Sequence, residues 1–431
     1  MDRARRKAFW RLLPLLCLCY LIAYVDRTNV AIAKLAMVKD LKAFDNGVIA
    51  WGGGLFFWGY FLLEIPGSLL VERWSARRLL CRIMVTWGLI AMATALVRTP
   101  AQFYGIRFAL GLAEAGFFPG IIVFLTHWFP SRDRARALAF FLIATPTAQI
   151  LSPKISNTLL KIGVDPVTGT ALAGVGFHGW QWLYLFWGFP AVVLGMVVFF
   201  YLPDRPAQAG WLSAPEKSAL EEALASDRQS GGRRKRLTIA EGLSNPRVLA
   251  LTVAYFCSTT ATYGIEFFLP SILQDWYSLK LDAITWMVIL PPALALVGQF
   301  VTGWNSDRTG ERHLHAAVPI IIGGAFLALT PMTCGQLPLT IVCFMVAFTG
   351  LKSYQPAFWS LPSLFLSESA AAASIGFINS IGNLGGWAGP MIMGQAQKLT
   401  GSFVGGIYTV CLSMICCAVI IICLNWGRQR H

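Results

Sequence analysis

Eight charged side chains lie within long apolar runs of this sequence, where an ionised group is costly. A charge at the centre of a bilayer costs at least about 2.5–3.5 kcal/mol, so each must be paired, hydrated or functional. Four of the eight are basic and four are acidic, so their charges sum to zero and all eight could form ion pairs with one another. They are Arg27, Arg107, Lys154, Lys352, Asp26, Glu64, Glu114 and Glu266.

The clearest pattern among them is Arg107, Gly111 and Glu114, whose spacing of four and three residues places them on one helix face. An arginine presents a planar fork of donors that suits a carboxylate ligand. A carboxylic acid beside it can exchange a proton when an anion arrives, because its pKa depends on that neighbour. The pattern favours an anion site with a proton-carrying acid. A buried structural ion pair with a neighbouring helix is the alternative.

A second acid and base stand side by side at Asp26 and Arg27. In a helix Tyr24 and Arg27 share a face, whereas Asp26 points about 100° away from Arg27. We therefore expect Arg27 to face a cavity and Asp26 to turn towards a neighbour such as Arg107.

Small and amide side chains form a narrow stripe near the C-terminus, at intervals of three and four residues. It consists of Gly376, Asn379, Asn383, Gly386 and Pro390. The amides of Asn379 and Asn383 could bind substrate hydroxyls or carboxylates, and close helix packing is the alternative. Tyr60 and Glu64 raise the same choice, and we interpret Tyr60 as a substrate contact and Glu64 as a structural hydrogen-bonding partner.

The composition requires these residues to be held in a membrane. Of 431 residues, 56% are apolar and 13% are charged, about half the charged share of an average soluble protein. With a mean hydropathy of +0.60, this excludes a soluble enzyme, a secreted disulfide domain and a disordered chain. The net charge of +14 lies mostly in short loops, which argues against a nucleic-acid partner. The ten cysteines have no metal-ligand spacing to a histidine, so no metal site is predicted.

Twelve apolar runs are long enough to span a bilayer, which predicts an all-α polytopic membrane protein. We number them spans 1 to 12, at 12–37, 48–71, 79–97, 101–128, 135–161, 180–202, 247–274, 281–304, 315–333, 338–367, 370–397 and 403–426. A polar insert divides them into six and six. The predicted organisation is an N-terminal half at 1–202, a linker at 203–246 and a C-terminal half at 247–431.

Lysines and arginines in the loops and at the ends of the spans predict the orientation. Twenty-four lie at the termini, in the linker and in loops on the same side, and six lie on the opposite side. The positive-inside rule places both termini and the linker in the cytoplasm.

An internal repeat supports two homologous halves. Residues 72–78 and 307–313 both read acid, Arg, any, small, any, Arg, basic, and they lie 235 residues apart. Two such halves are typical of transporters that bind substrate between them. The motif residues are expected to form ion pairs that break as the halves rock, and a solvated charge cluster is the alternative. They are Glu72, Arg73, Arg77, Asp307, Arg308 and Arg312.

Strings in four spans resemble the major facilitator superfamily, and within it the tartrate- and phthalate-type branch of the anion:cation symporter family. The strings are Tyr24-Val25-Asp26-Arg27-Thr28-Asn29, Gly59-Tyr60 with Glu64-Ile65-Pro66, Arg107-Phe108 with residues 111–120, and residues 378–386. The resemblance implies a twelve-span fold in the inner membrane that imports a carboxylate with protons by alternating access. It implies that Asp26 and Glu114 carry the coupling protons and that Arg27 and Arg107 handle the anion. No cofactor is expected, and the chain is expected to be a monomer.

Glu266 and Lys352 depart from that family pattern. Spans 7 and 10 correspond to spans 1 and 4 in the repeat, so both residues should line the C-terminal half of the cavity. We predict a partly hydrated pair, in which Lys352 could bind a second substrate carboxylate. A static structural pair is the alternative.

Two other functions remain open from the sequence. A passive facilitator or an anion exchanger could have the same fold. An integral membrane enzyme would need a nucleophile–base pair or a metal cluster at the membrane surface, and the sequence offers none.

Overall fold

The computed structural model describes residues 2–73, 75–163, 176–231, 245–362 and 368–426, and all regular elements within these ranges are helical. In the N-terminal half the helices are Asp2–Thr28 with Val30–Asp40, Asn46–Arg73, Ala76–Ala93, Pro100–Glu114 with Phe117–Trp128, Ser131–Leu142 with Ala144–Leu160, and Gly179–Tyr201. In the C-terminal half they are Pro246–Tyr277, Leu281–Thr309, His313–Leu329, Leu337–Ser353 with Gln355–Phe358, Glu368–Gly382 with Gly385–Thr400, and Val404–Trp426. Each predicted span corresponds to one helix or to two consecutive helices.

Nine helical segments in the described ranges are long and apolar enough to cross a membrane, and they belong to spans 1, 2, 3, 6, 7, 8, 9, 10 and 12. The other three spans are each divided into two shorter helices. In span 4 the division lies at Gly116, whose φ of +86° is a left-handed conformation that favours glycine. The chain is therefore an all-helical polytopic membrane protein, and its helix count agrees with twelve spans.

The divided spans carry several of the predicted site residues at their breaks. Glu114 ends the first helix of span 4, and Arg27 lies one residue before the end of the first helix of span 1. Lys352 lies in the last turn of helix Leu337–Ser353, and Asn383 lies between the two helices of span 11. Broken helices free backbone groups near a binding site, as expected where irregular backbone lines a cavity.

Glycines allow the spans to approach closely. A Cβ on Gly111 would lie 2.0 Å from the carbonyl oxygen of Phe56, so spans 2 and 4 touch through their backbones. Between the halves, Gly54 of span 2 packs against Trp387 of span 11, and Gly386 of span 11 packs against Phe57 of span 2. Of the two glycines in the span 11 stripe, Gly386 thus serves helix packing, whereas nothing lies within 4 Å of a Cβ added to Gly376.

Contacts between the two sets of spans are found at the bundle end farthest from the N-terminus, which we call the distal end. There Lys161 of span 5 lies 2.6 Å from Asp282 of span 8. Lys398 of span 11 lies 3.2 Å from Asp45 in the loop before span 2. Below these surface pairs, Lys34 of span 1 donates to the carbonyl oxygen of Phe267 in span 7 at 2.7 Å. The distal end is closed across the halves.

At the other end, the first part of the predicted linker packs on the N-terminal half. Helix Ala214–Gly231 begins beside Lys7, whose ammonium lies 2.7 Å from the carboxylate of Glu216. This hydrogen bond, with the backbone N–H of Ser213, lowers the pKa of Glu216 to about 2. The ring of Trp211 stacks on that of Trp128, with 5.5 Å between the ring centroids. The first part of the linker is therefore held against the ends of spans 1 and 4.

Candidate functional site

The site centres on a buried ion pair between spans 1 and 4. Nε of Arg27 lies 2.5 Å from Oε1 of Glu114, and their side chains are only 9% and 1% exposed. The guanidinium also lies over the ring of Tyr60, 4.9 Å from its centroid. The predicted substrate residues Arg27 and Tyr60 and the predicted proton carrier Glu114 therefore lie together.

Asp26 faces away from Arg27, as its position on the helix predicts. Its carboxylate accepts a 2.8 Å hydrogen bond from the indole of Trp87 in span 3, and it lies 3.5 Å from the amide of Asn29. Arg107, the expected neighbour, interacts electrostatically with Asp26, but the structure shows no ion pair between these two residues. The direct hydrogen bond to Asp26 comes from Trp87.

Arg107 is buried beside the Arg27–Glu114 pair. Its guanidinium lies 5.2 Å from the centroid of the Phe56 ring, and the side chain is almost fully withdrawn from solvent. Among the residues that the structure describes, Nε and Nη1 of Arg107 have no hydrogen-bond acceptor, and Oε2 of Glu114 has no hydrogen-bond donor. A buried guanidinium with unused donors next to a carboxylate can accept an anionic ligand.

A second polar cluster joins the two halves next to the first. The hydroxyl of Tyr24 donates to Oε1 of Glu266 at 3.0 Å, and the amide of Gln149 donates to the same atom at 2.7 Å. Lys352 completes the cluster, with Nζ 3.7 Å from Oε2 of Glu266. The predicted Glu266–Lys352 pair is present, with two donors from the N-terminal half added.

A third contact between the halves involves the stripe of span 11. The amide of Asn379 donates to Oε1 of buried Glu64 in span 2 at 3.0 Å. Glu64 acts here as a hydrogen-bonding partner, the role interpreted from its spacing. Asn383 is half-buried at the break of span 11.

The described contacts of the repeated loop motifs lie within one half or join a half to the start of the linker. Arg77 lies 3.4 Å from Asp204, and Asp204 also accepts from the hydroxyl of Ser75 at 2.6 Å. In the second motif, Arg312 donates to Ser306 and Arg308 lies over the ring of Trp304. The side chains of Glu72, Arg73 and Asp307 lie outside the described residues. In this conformation the described motif residues brace neighbouring helix ends.

Three residues of these networks escaped the sequence reasoning. Lys34 lies inside the first apolar run, and a full census of charges in that run would have found it. Gln149 in span 5 and Trp87 in span 3 are hydrogen-bond donors in apolar segments. A single amide or indole forms no sequence pattern from which its role could be predicted. Among the described residues, no group of three His, Cys, Asp or Glu side chains could hold a metal ion.

Comparisons with known proteins agree with this architecture. Residues 16–390 match the family model of the Major Facilitator Superfamily. A protein named as a tartrate transporter in Agrobacterium vitis is 37% identical, over 98% of this chain and 95% of its own. The inner membrane transport protein RhmT of Escherichia coli is 33% identical, over 99% of this chain and 96% of its own.

Solved structures support the same fold. The crystal structure of a D-xylose–proton symporter superposes with a TM-score of 0.73 at 14% identity, covering 96% of this chain and 97% of that one. The family and these relatives are transporters rather than enzymes. This chain forms a twelve-span helical bundle with charges buried between its two sets of spans, and the family model matches most of the chain. It therefore belongs to the Major Facilitator Superfamily of membrane transporters.

Proposed function

We propose that this transporter imports an organic carboxylate across the bacterial inner membrane by proton symport. The observation that carries the proposal is the Arg27–Glu114 pair, a guanidinium and a carboxylate held together in a nearly inaccessible site. When Glu114 takes a proton, its ion pair with Arg27 is lost, and a substrate carboxylate can form a new ion pair with Arg27.

Charge neutrality explains why the two events would be coupled. Asp26, Arg27, Arg107 and Glu114 sum to zero, and all four side chains are buried. One added carboxylate leaves a net negative charge in a low-dielectric site, which is costly. One added proton for each substrate carboxylate restores neutrality, so loading of the anion together with its protons is favoured over loading of either one alone.

The other buried residues have roles that follow from their positions. Arg107 supplies unused guanidinium donors to the bound anion. Asp26 is the second proton carrier, since it is buried against Trp87 and has no ion-pair partner among the described residues. Tyr24, Tyr60, Asn379 and Asn383 offer hydroxyl and amide groups to the rest of the substrate.

Alternating access would proceed by rocking of residues 1–202 against residues 247–431 about the 203–246 linker. The contacts across the distal end fit a conformation closed on that side. The positive-inside rule assigns the distal end to the periplasm and both termini to the cytoplasm. The loop motifs would exchange partners when the other end closes, and a monomer contains the whole machinery.

The relatives narrow the substrate class. One is named as a tartrate transporter, so hydroxy-dicarboxylates are our first candidates, followed by sugar acids and aromatic carboxylates. The experiment is uptake of labelled L-tartrate, galactonate and phthalate into proteoliposomes with and without an inward proton gradient. Symport requires accumulation that depends on the gradient and is lost in Arg27→Ala.

The alternatives give different results in the same assay. A passive facilitator would equilibrate substrate without responding to the gradient, and an exchanger would need substrate on both sides. Substrate recovered in an altered chemical form would indicate an enzyme and overturn the proposal.

A further inference from the structure

The carboxylate of Glu266 is surrounded by donors from three other spans. Tyr24 of span 1 and Gln149 of span 5 hold Oε1 at 3.0 Å and 2.7 Å. Lys352 of span 10 approaches Oε2. Two neutral donors and one ammonium thus converge on one point between the halves, which is the environment that a bound carboxylate requires.

Lys352 is poorly matched to this partner. Its distance of 3.7 Å from Glu266 exceeds that of a hydrogen bond, and the ammonium donates none to any residue that the structure describes. The side chain is nevertheless only 16% exposed. A purely structural pair should close this contact, whereas a lysine that binds a ligand needs donors to spare.

The cluster lies one helical turn from the Arg27 site. Tyr24, which contacts Glu266, precedes Arg27 by three residues in the same helix, a rise of about 4.5 Å. Tyr263 interacts electrostatically with both Arg27 and Glu266, so the two sites adjoin and a ligand on Arg27 can extend towards Lys352. Two carboxylates joined by a short carbon chain can reach both cations, and a monocarboxylate of the same length cannot.

We propose that Lys352 binds the second carboxylate of a short dicarboxylate whose first carboxylate binds Arg27. Glu266 holds this position in the unloaded protein, and the substrate carboxylate takes its place on Lys352. Tyr24 and Gln149 continue to hold Glu266 by hydrogen bonds. The inference rests on the proposed function, because it names the substrate class of the same cavity.

The test uses ligands that differ in one carboxylate: L-tartrate against its monoamide, and phthalate against phthalamate. Calorimetric titration of the full-length purified protein gives a Kd for each. We expect the wild type to bind one of the dicarboxylates about tenfold or more tightly than its monoamide. Lys352→Gln should lose about tenfold or more in affinity for that dicarboxylate and stay within about twofold for the monoamide.

Two further variants keep the test decisive. Lys154→Gln is the matched control, since Lys154 also lies in a span but is exposed over the ring of Trp286 at 4.6 Å. It should leave both affinities unchanged. Glu266→Gln removes the internal competitor while keeping a side chain of the same shape, so it should tighten dicarboxylate binding severalfold, even if Lys352→Gln folds poorly.

Each contrary outcome has a distinct meaning. Equal wild-type affinity for a dicarboxylate and its monoamide, or equal losses for both in Lys352→Gln, would overturn the dicarboxylate subsite and leave carboxylate transport standing. Weaker dicarboxylate binding by Glu266→Gln would also overturn it. If no carboxylate bound the wild type at all, the proposed function itself would fail.

Discussion

At the residue scale, the proposed function requires the shape of the Arg27 side chain as well as its charge. Arg27→Lys keeps the charge but loses the planar fork that can hold a carboxylate through two hydrogen bonds. We expect its initial uptake rate in proteoliposomes to fall to about a tenth of the wild type or less, because a charged hydrogen bond contributes about 1.5–3 kcal/mol.

Arg98→Lys is the control for this change, since Arg98 is exposed in the loop between spans 3 and 4. It should transport normally. Uptake by Arg27→Lys within twofold of the wild type would refute the assignment of Arg27 as the anion-binding fork.

The two buried acids lend themselves to a separation of coupling from binding. Glu114→Gln and Asp26→Asn imitate the protonated acids in shape, and each new amide can still accept from Arg27 or Trp87. We expect counterflow exchange of labelled substrate to persist, while accumulation driven by a proton gradient falls at least tenfold. Wild-type accumulation by both variants would mean that the protons travel by another route.

At the element scale, close packing of spans 2 and 4 sets the geometry of the site. The Gly111→Ala Cβ would stand 2.0 Å from the carbonyl oxygen of Phe56, and backbone cannot yield as a side-chain tip can. We expect a loss of roughly 1–3 kcal/mol in stability, seen as a lower thermal midpoint in detergent.

Gly105→Ala, in the same helix, is the matched control, since nothing lies within 4 Å of its added Cβ. It should keep or raise the midpoint, because alanine is the better helix former. Equal midpoints for the two variants would show that the backbone contact at Gly111 is not a constraint.

The helix breaks mark the limit of sequence reasoning at this scale. The apolar runs predicted all twelve spans, because a bilayer sets a minimum length for any helix that crosses it. They did not predict the helix break at Ala115-Gly116. Gly116 permits this break through its left-handed conformation, whereas Gly111 lies in the same span without breaking the helix. Only the packing of neighbours decides which glycine turns the chain and which admits another helix.

At the scale of the whole molecule, the sequence predicted directions on a helix better than partners between helices. The spacing of Asp26 and Arg27 predicted that their side chains point in different directions, and in the structure Asp26 contacts Trp87 while Arg27 contacts Glu114. Trp87 as the partner of Asp26 and Gln149 as a donor to Glu266 depend on the register between distant spans. That register comes from packing across the whole bundle, which the local pattern does not contain.

In the proposed alternating-access cycle, the halves separate at the distal end, where Lys34 contacts Phe267. Its ammonium is buried, donates to the Phe267 carbonyl at 2.7 Å and lies 3.5 Å from the centroid of the Phe268 ring. One charged hydrogen bond contributes about 1.5–3 kcal/mol. Desolvation of an ammonium costs several kcal/mol, and among the described residues no carboxylate pairs with Lys34. We therefore expect the cost of desolvation to exceed the contribution of the hydrogen bond and to favour opening of the distal end.

Lys34→Met should therefore stabilise the structure and slow the transporter. The methionine fills a similar volume without the buried charge, so we expect a gain of about 1–4 kcal/mol in stability, with a higher thermal midpoint. Opening of the distal end becomes harder, and the uptake rate falls. Lys398→Met, which removes an exposed lysine at the same end, should change both quantities little. A lower thermal midpoint for Lys34→Met would contradict this interpretation. It would mean that Lys34 stabilises the closed distal end instead of favouring its opening.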